Sequence, residues 1–147
     1  MKTSDLNSTF IVDKTPAETL NAILHVSDWW SKGIKGSAEK VNDVFHYRYK
    51  DMHESTQKMI ELVPGRKVVW LVTDSNLTFI DNKSEWNGTK ISFEVAEKNG
   101  KTEVRFTHYG LTPKSECFDA CTEGWDYYVN KSLVKLITTG KGQPEPE

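Results

Sequence analysis

Apolar and polar positions along this chain change period twice, from helical to alternating and back. Ser8–Asp13 opens with a short β-branched run, Phe10-Ile11-Val12, that reads as a strand. Thr15-Pro16-Ala17-Glu18 follows, with a capping threonine, proline at the first helical position and glutamate three after the cap. Ala17, Leu20, Ile23 and Leu24 give that helix one apolar side. A second short turn is expected around Asp28-Trp29-Trp30, before Gly33 and Gly36 open the next segment. From Val44 the period becomes two. Phe45, Tyr47 and Tyr49 share one face, and His46 and Arg48 the other. His53–Val63 continues as a longer alternating strand that ends at the Pro64-Gly65 turn. Lys67–Thr73 is a nearly continuous apolar strand containing Trp70. Residues 74–86 are the least regular, although Leu77–Ile80 retains the composition to pair. Asn87-Gly88 and Asn99-Gly100 are tight-turn signals, and the second should close a hairpin between Thr89–Glu97 and Lys101–Tyr109.

The period then lengthens again. Phe118, Cys121, Trp125, Tyr128, Val129, Ser132, Leu133, Leu136 and Ile137 recur at helical spacing, predicting one long helix from about Ser115 to Thr139. Gly140 should stop it, with Gly142 and Pro144 beyond, and Gln143–Glu147 is expected to fray. Gly124 inside this helix costs ~1 kcal/mol relative to alanine, so its missing side chain is expected to allow a close approach by a strand or ring. A run of antiparallel strands needs one face covered, and this amphipathic helix is the only element long enough to do it. A sheet curled around one helix leaves room for a cavity between them.

The whole chain, residues 1–147, reads as one domain without repeat or linker. Nineteen basic residues against twenty-one acidic ones leave a net charge of −2, and the lysines are scattered. A nucleic-acid or anionic-membrane surface is therefore not expected. Five tryptophans, five tyrosines and six phenylalanines argue against disorder. No stretch approaches the ~20 apolar residues of a membrane span, and the first residues lack an apolar signal core. The expectation is a cytoplasmic protein with Cys117 and Cys121 as reduced, inward-leaning thiols, because both Cα–Cβ bonds tilt the same way along a helix. In that setting the N-x-[ST] matches at Asn7, Asn76, Asn82, Asn87 and Asn130 carry no meaning for glycosylation.

Asp28-Trp29-Trp30, the hairpin from Thr89 to Gly110-Leu111, Gly124-Trp125 and the run Ser132-Leu133 to Gly140-Lys141-Gly142-Gln143-Pro144 occur in an order that resembles the heat-shock-protein-90 ATPase activator homologue-like family. The likeness runs from about Phe10 to Pro144. That family lies in the START-like, helix-grip (SRPBCC) superfamily. The resemblance implies an α+β fold in which a seven-stranded antiparallel sheet grips the C-terminal helix around a hydrophobic cavity. It carries no shared catalytic set.

Candidate site residues follow from which rings face inward. Trp30, Phe45, Tyr47, Met59, Trp70, Phe93, Phe106, His108, Trp125 and Tyr128 are the candidates for a ligand wall, each of them equally readable as core. Trp29-Trp30 could gate the mouth or simply anchor the short helix. His108 shares a face with Val104 and Phe106 and is the best polar candidate. It could act on a ligand oxygen, or be a core histidine bonded to a hydroxyl or carbonyl. His46 and His53 lie on neighbouring strands and read as surface imidazoles, and neither a metal nor a cofactor is expected. The expected function is a binding module for a small apolar or amphipathic ligand. The alternatives are a cyclase- or hydratase-like enzyme using His108 with a tyrosine such as Tyr47, and a chaperone-associated module with a protein partner.

Overall fold

The computed structural model describes residues 5–32 and 34–144. Seven strands, β1 (Leu6–Val12), β2 (Lys35–Gly36), β3 (Val44–Tyr49), β4 (His53–Val63), β5 (Lys67–Leu77), β6 (Lys90–Lys98) and β7 (Lys101–Tyr109), form one sheet in the order β1-β7-β6-β5-β4-β3-β2. Every neighbouring pair is antiparallel. Helices α1 (Pro16–Leu24) and α2 (Val26–Trp29) cross between β1 and β2. The chain closes with α3 (Phe118–Trp125), a π-helical stretch (Asp126–Leu133) and α4 (Val134–Thr139), whose junctions keep right-handed helical dihedrals. This is the helix-grip architecture.

Local chemistry explains most boundaries. The Thr15 hydroxyl accepts from the Glu18 N–H at 3.1 Å while the Glu18 carboxylate accepts from the Thr15 N–H, which completes the capping box before α1. Asn99 and Gly100, at φ 54° and 82°, make the turn between β6 and β7. Phe93 then faces Phe106, and Val95 faces Val104, across the hairpin. Strand β5 runs on to Leu77, past the expected end at Thr73, because register shifts opposite Thr56/Gln57 and Met59/Glu61 re-aim β4 and keep the two paired. The last helix begins at Phe118, three residues later than the apolar spacing indicates, since residues 112–117 are held in turns.

Two expectations are corrected. Cys117 and Cys121 are joined as a disulfide, with Cα atoms 5.5 Å apart. Cys117 caps the start of α3 and its carbonyl accepts from the Cys121 N–H at 2.7 Å, so the two residues stand one turn apart and within bridging range. Gly124 admits no close neighbour: a Cβ there would have no heavy atom within 4 Å. Within the expected tail, Gln143 is bonded at both backbone groups. Its N–H donates to the Ser132 hydroxyl at 2.9 Å and its carbonyl accepts from the Tyr127 hydroxyl at 2.9 Å. The remainder of the expected tail, residues 145–147, lies outside the described residues, as does Gly33. For Trp29-Trp30, where gate and anchor were both open, the packing fits the anchor. Both rings are buried, and the Trp29 indole donates to the Ile23 carbonyl at 2.9 Å.

The sheet–helix interface is filled. Trp70, Phe93, Phe106, Phe45 and Met59 are all sealed from solvent. Trp70 packs edge-on against Phe45 at 5.1 Å and Phe93 at 5.6 Å. Two outcomes follow. Trp70→Ala should lose ~3–5 kcal/mol in denaturant unfolding, the cost of emptying a packed core position. Alkylation of the denatured, unreduced protein should modify neither Cys117 nor Cys121, and reductant should expose both.

Candidate functional site

Open space lies toward the ends of the sheet–helix interface rather than along it, and the aromatic-walled part is at the β3–β4 end. A cleft of about 440 Å³ is bounded by β3 and β4 on one side and by α3 with the π-helical stretch on the other. Tyr47, Tyr49, Met52 and His53 come from the β3–β4 hairpin, and Trp30 from the end of α2. Phe79 and Trp86 come from the irregular segment after β5. Cys121, Gly124, Trp125, Tyr127 and Tyr128 come from the last helix, with Glu123 at its exposed side. Volume and lining fall in the ordinary range for small-molecule sites.

Each wall is held by identifiable bonds. Glu85 accepts from the backbone N–H of Glu116 at 2.7 Å and of Cys117 at 2.9 Å. In return, the Glu116 carboxylate accepts from the Asn82 N–H at 2.7 Å. This reciprocal clamp fixes the segment carrying Phe79 and Trp86 onto the start of α3. The disulfide staples the same turn. Further along, the helix widens into π geometry, and both Tyr127 and Tyr128 reach the cleft. Such widenings recur at functional sites.

Trp30 is the ring that joins cleft to core. It stacks on Tyr47 at 4.7 Å and lies 5.1 Å from Trp125 and 5.9 Å from Phe45. Trp86 and Trp125 lie parallel, 5.9 Å apart, and His53 stands edge-on to Trp86 at 4.4 Å. The Tyr47 and Tyr128 hydroxyls meet at 3.2 Å.

The two histidines on the inner face, His53 half-buried and His108 fully buried, differ in their bonding. At His108, Nδ1 accepts from the Trp125 indole at 3.1 Å. The Thr89 hydroxyl donates to the Trp86 carbonyl at 2.6 Å, which leaves it to accept from His108 Nε2 at 2.9 Å. Both nitrogens are taken and the tautomer is set. Burial, with a smaller contribution from His53, pushes His108 down to about 3. His53 is pushed down to about 4 by burial alone, and its Nε2 is sealed from solvent without a hydrogen-bond partner. The Trp86 indole nitrogen is likewise buried and unpartnered.

Of the ten residues selected from the sequence, Trp30, Tyr47, Trp125 and Tyr128 line the cleft. Phe45, Met59, Trp70, Phe93 and His108 lie in the packed interior, and Phe106 borders a separate groove of about 370 Å³ beside β1. The structure does not pair His108 with Tyr47. His46 is half-buried and bonds Thr56 at 2.8 Å and Glu54 at 3.0 Å. His53 is no surface imidazole. Alternation read backward from Met59 through Gln57 and Ser55 would have placed it on the inner face. Trp86 sits in a segment without periodicity, so only its size hinted at burial. Among the described residues, no three His, Cys, Asp or Glu side chains gather to hold a metal. Nor is any helix there long and apolar enough to cross a membrane.

Both histidines are held neutral in the fold but bind a proton near pH 6.5 when unfolded. Stability is therefore full above that pH and falls as the pH drops toward 4, by ~1.4 kcal/mol per pH unit for each histidine. Denaturant unfolding between pH 7 and 4.5 should show this slope, and His53→Phe should remove about one histidine's share.

No curated protein matches the sequence. Solved structures do. The Aha1 dimer from Colwellia psychrerythraea is 25% identical, with a TM-score of 0.75 over 94% of this chain and 98% of that one. A protein from Mesorhizobium loti (12% identical, TM-score 0.71, 90% of this chain and 94% of that one) shares the fold. So does one from Staphylococcus saprophyticus (13% identical, TM-score 0.68, 97% and 98%). The family described as "Activator of Hsp90 ATPase homolog 1-like protein" matches residues 19–138, most of the chain and every element from α1 to α4, and the protein belongs to that family.

Proposed function

We propose that this protein is a binding module that shelters a small apolar or amphipathic molecule in the cleft between the β3–β4 hairpin and the last helix. One observation carries the reading: a ring-walled space of about 440 Å³ beside a core that is otherwise filled. Aromatic walls held by backbone clamps present apolar surface without having to collapse when the site is empty. The family membership is compatible with small-ligand or protein binding and names neither. The enzyme reading has less support, because both nitrogens of His108 are committed to Thr89 and Trp125. A protein partner would find exposed apolar side chains at the cleft rim, Met52 and Phe79.

Gly124 supplies the test. It faces the cleft with open space before it, so a larger side chain there fills the site without displacing packed atoms. Apolar aromatic probes should quench tryptophan emission saturably in the wild type. Gly124→Leu should abolish that quenching while its melting midpoint stays level or rises, since leaving glycine gains up to ~1 kcal/mol of helix propensity. Absence of saturable quenching by any probe would overturn the reading.

A further inference from the structure

The cleft combines aromatic walls with charge of one sign at its mouth. Tryptophan, tyrosine and phenylalanine rings make most of its lining. Such rings carry negative π-faces, which attract a cation within about 6 Å of the ring centroid. The attraction is already in use at the rim, where the ammonium of Lys50 stands 5.2 Å from the centroid of Tyr49, a lining residue. Lys50 itself is exposed and does not line the cleft.

Charge points the same way. Among the described residues no lysine or arginine lines the cleft, whereas Glu123 does. Helix α3 carries Asp119 and Glu123 and no basic residue, and Asp126 follows directly. Glu123 and Tyr127 are four positions apart, which sets carboxylate and phenol side by side on the helix surface. Tyr128 stands edge-on to Tyr127 at 5.3 Å. His53 adds no positive charge, since burial holds it neutral. An anionic head group would therefore lose its hydration without gaining a counter-charge. A fully alkylated ammonium has no N–H to leave unpaired, so ring faces can take the place of its water.

Building on the proposed binding role, we infer that the cleft selects an organic cation, an apolar body ending in a fully alkylated ammonium group, with the cation at the rim beside Tyr127 and Glu123. The apolar body then lies inward along the remaining rings, and fatty acids and other anions are excluded.

Three probes share one benzyl body and differ in charge: benzyltrimethylammonium, its carbon isostere neopentylbenzene, and phenylmethanesulfonate, measured by equilibrium dialysis at pH 7.5. The cation should bind about tenfold more tightly than the hydrocarbon, the worth of cation–π contact with a carboxylate close by. The sulfonate should bind more weakly than either. Tyr127→Leu and Glu123→Gln should each cost the cation about threefold and leave the hydrocarbon unchanged. Tyr127→Phe keeps the ring and drops only the hydroxyl's bond to the Gln143 carbonyl, so it should bind the cation as the wild type does. Glu123 is exposed, and its variant serves where the leucine variant fails to fold. Hydrocarbon or sulfonate binding as tight as that of the cation overturns the selectivity while the binding role stands. A cation preference untouched by both substitutions places the cation elsewhere and overturns the inference too. Failure of all three probes to bind overturns the binding role and this inference with it.

Discussion

The indole N–H of Trp125 donates to Nδ1 of His108, and this bond ties the last helix to β7, next to the edge strand of the sheet. It works only while His108 is neutral, because an imidazolium would set a second donor against the indole. Thr89 reinforces that state by giving its own proton to the Trp86 carbonyl and leaving a lone pair for His108 Nε2. One chain of bonds thus joins α3, β7 and the turn that carries Trp86. Around it the Trp125 ring meets Trp30, Phe106 and Trp86. The cleft wall and the core wall are opposite sides of the same packed rings.

That arrangement keeps open space to the ends of the interface, the cleft beside β3 and β4 and the groove beside β1. Over the middle of the sheet, Trp70, Phe93 and Phe106 fill the gap to the helix with interlocking edge-to-face and tilted contacts. Gly124 contributes no side chain where one would fit. On the π-helical turns Tyr127 stands half-buried, while Tyr128 is buried with its hydroxyl 3.2 Å from that of Tyr47. The carboxylates of Glu85 and Glu116 hold the far wall by backbone hydrogen bonds, which do not depend on the cleft being filled.

The polar atoms inside the fold fall into two groups with different physical roles. His108, Thr89 and Ser132 are fully bonded and fix the register of elements that are remote in sequence; the Ser132 hydroxyl, for example, holds the Trp29 carbonyl. Thr19 Oγ1, His53 Nε2, Gln57 Oε1, Trp70 Nε1 and Trp86 Nε1 are buried without a hydrogen-bond partner. A satisfied network stabilises position.

The strands, the capping box before α1, the Asn99-Gly100 turn and the long last helix were legible in the sequence, because each is set by spacing and by residues within a few positions of one another. Even the inward placement of His53 was available from the alternation on β4. The resemblance to the family extended this to the full architecture. Which inward rings would be core and which would border a cleft was not legible, since Trp70 and Trp30 obey the same local rules. The difference lies in what faces them: Trp70 meets Phe45 and Phe93, while Trp30 has the cleft on one side. Trp86 had no periodicity to betray it, and its position follows from Glu85 reaching the start of a helix more than thirty residues later. The pairing of Cys117 with Cys121 and the open space at Gly124 likewise came only with the folded chain. Periodicity reports which face a residue takes; only the folded chain decides what stands opposite that face.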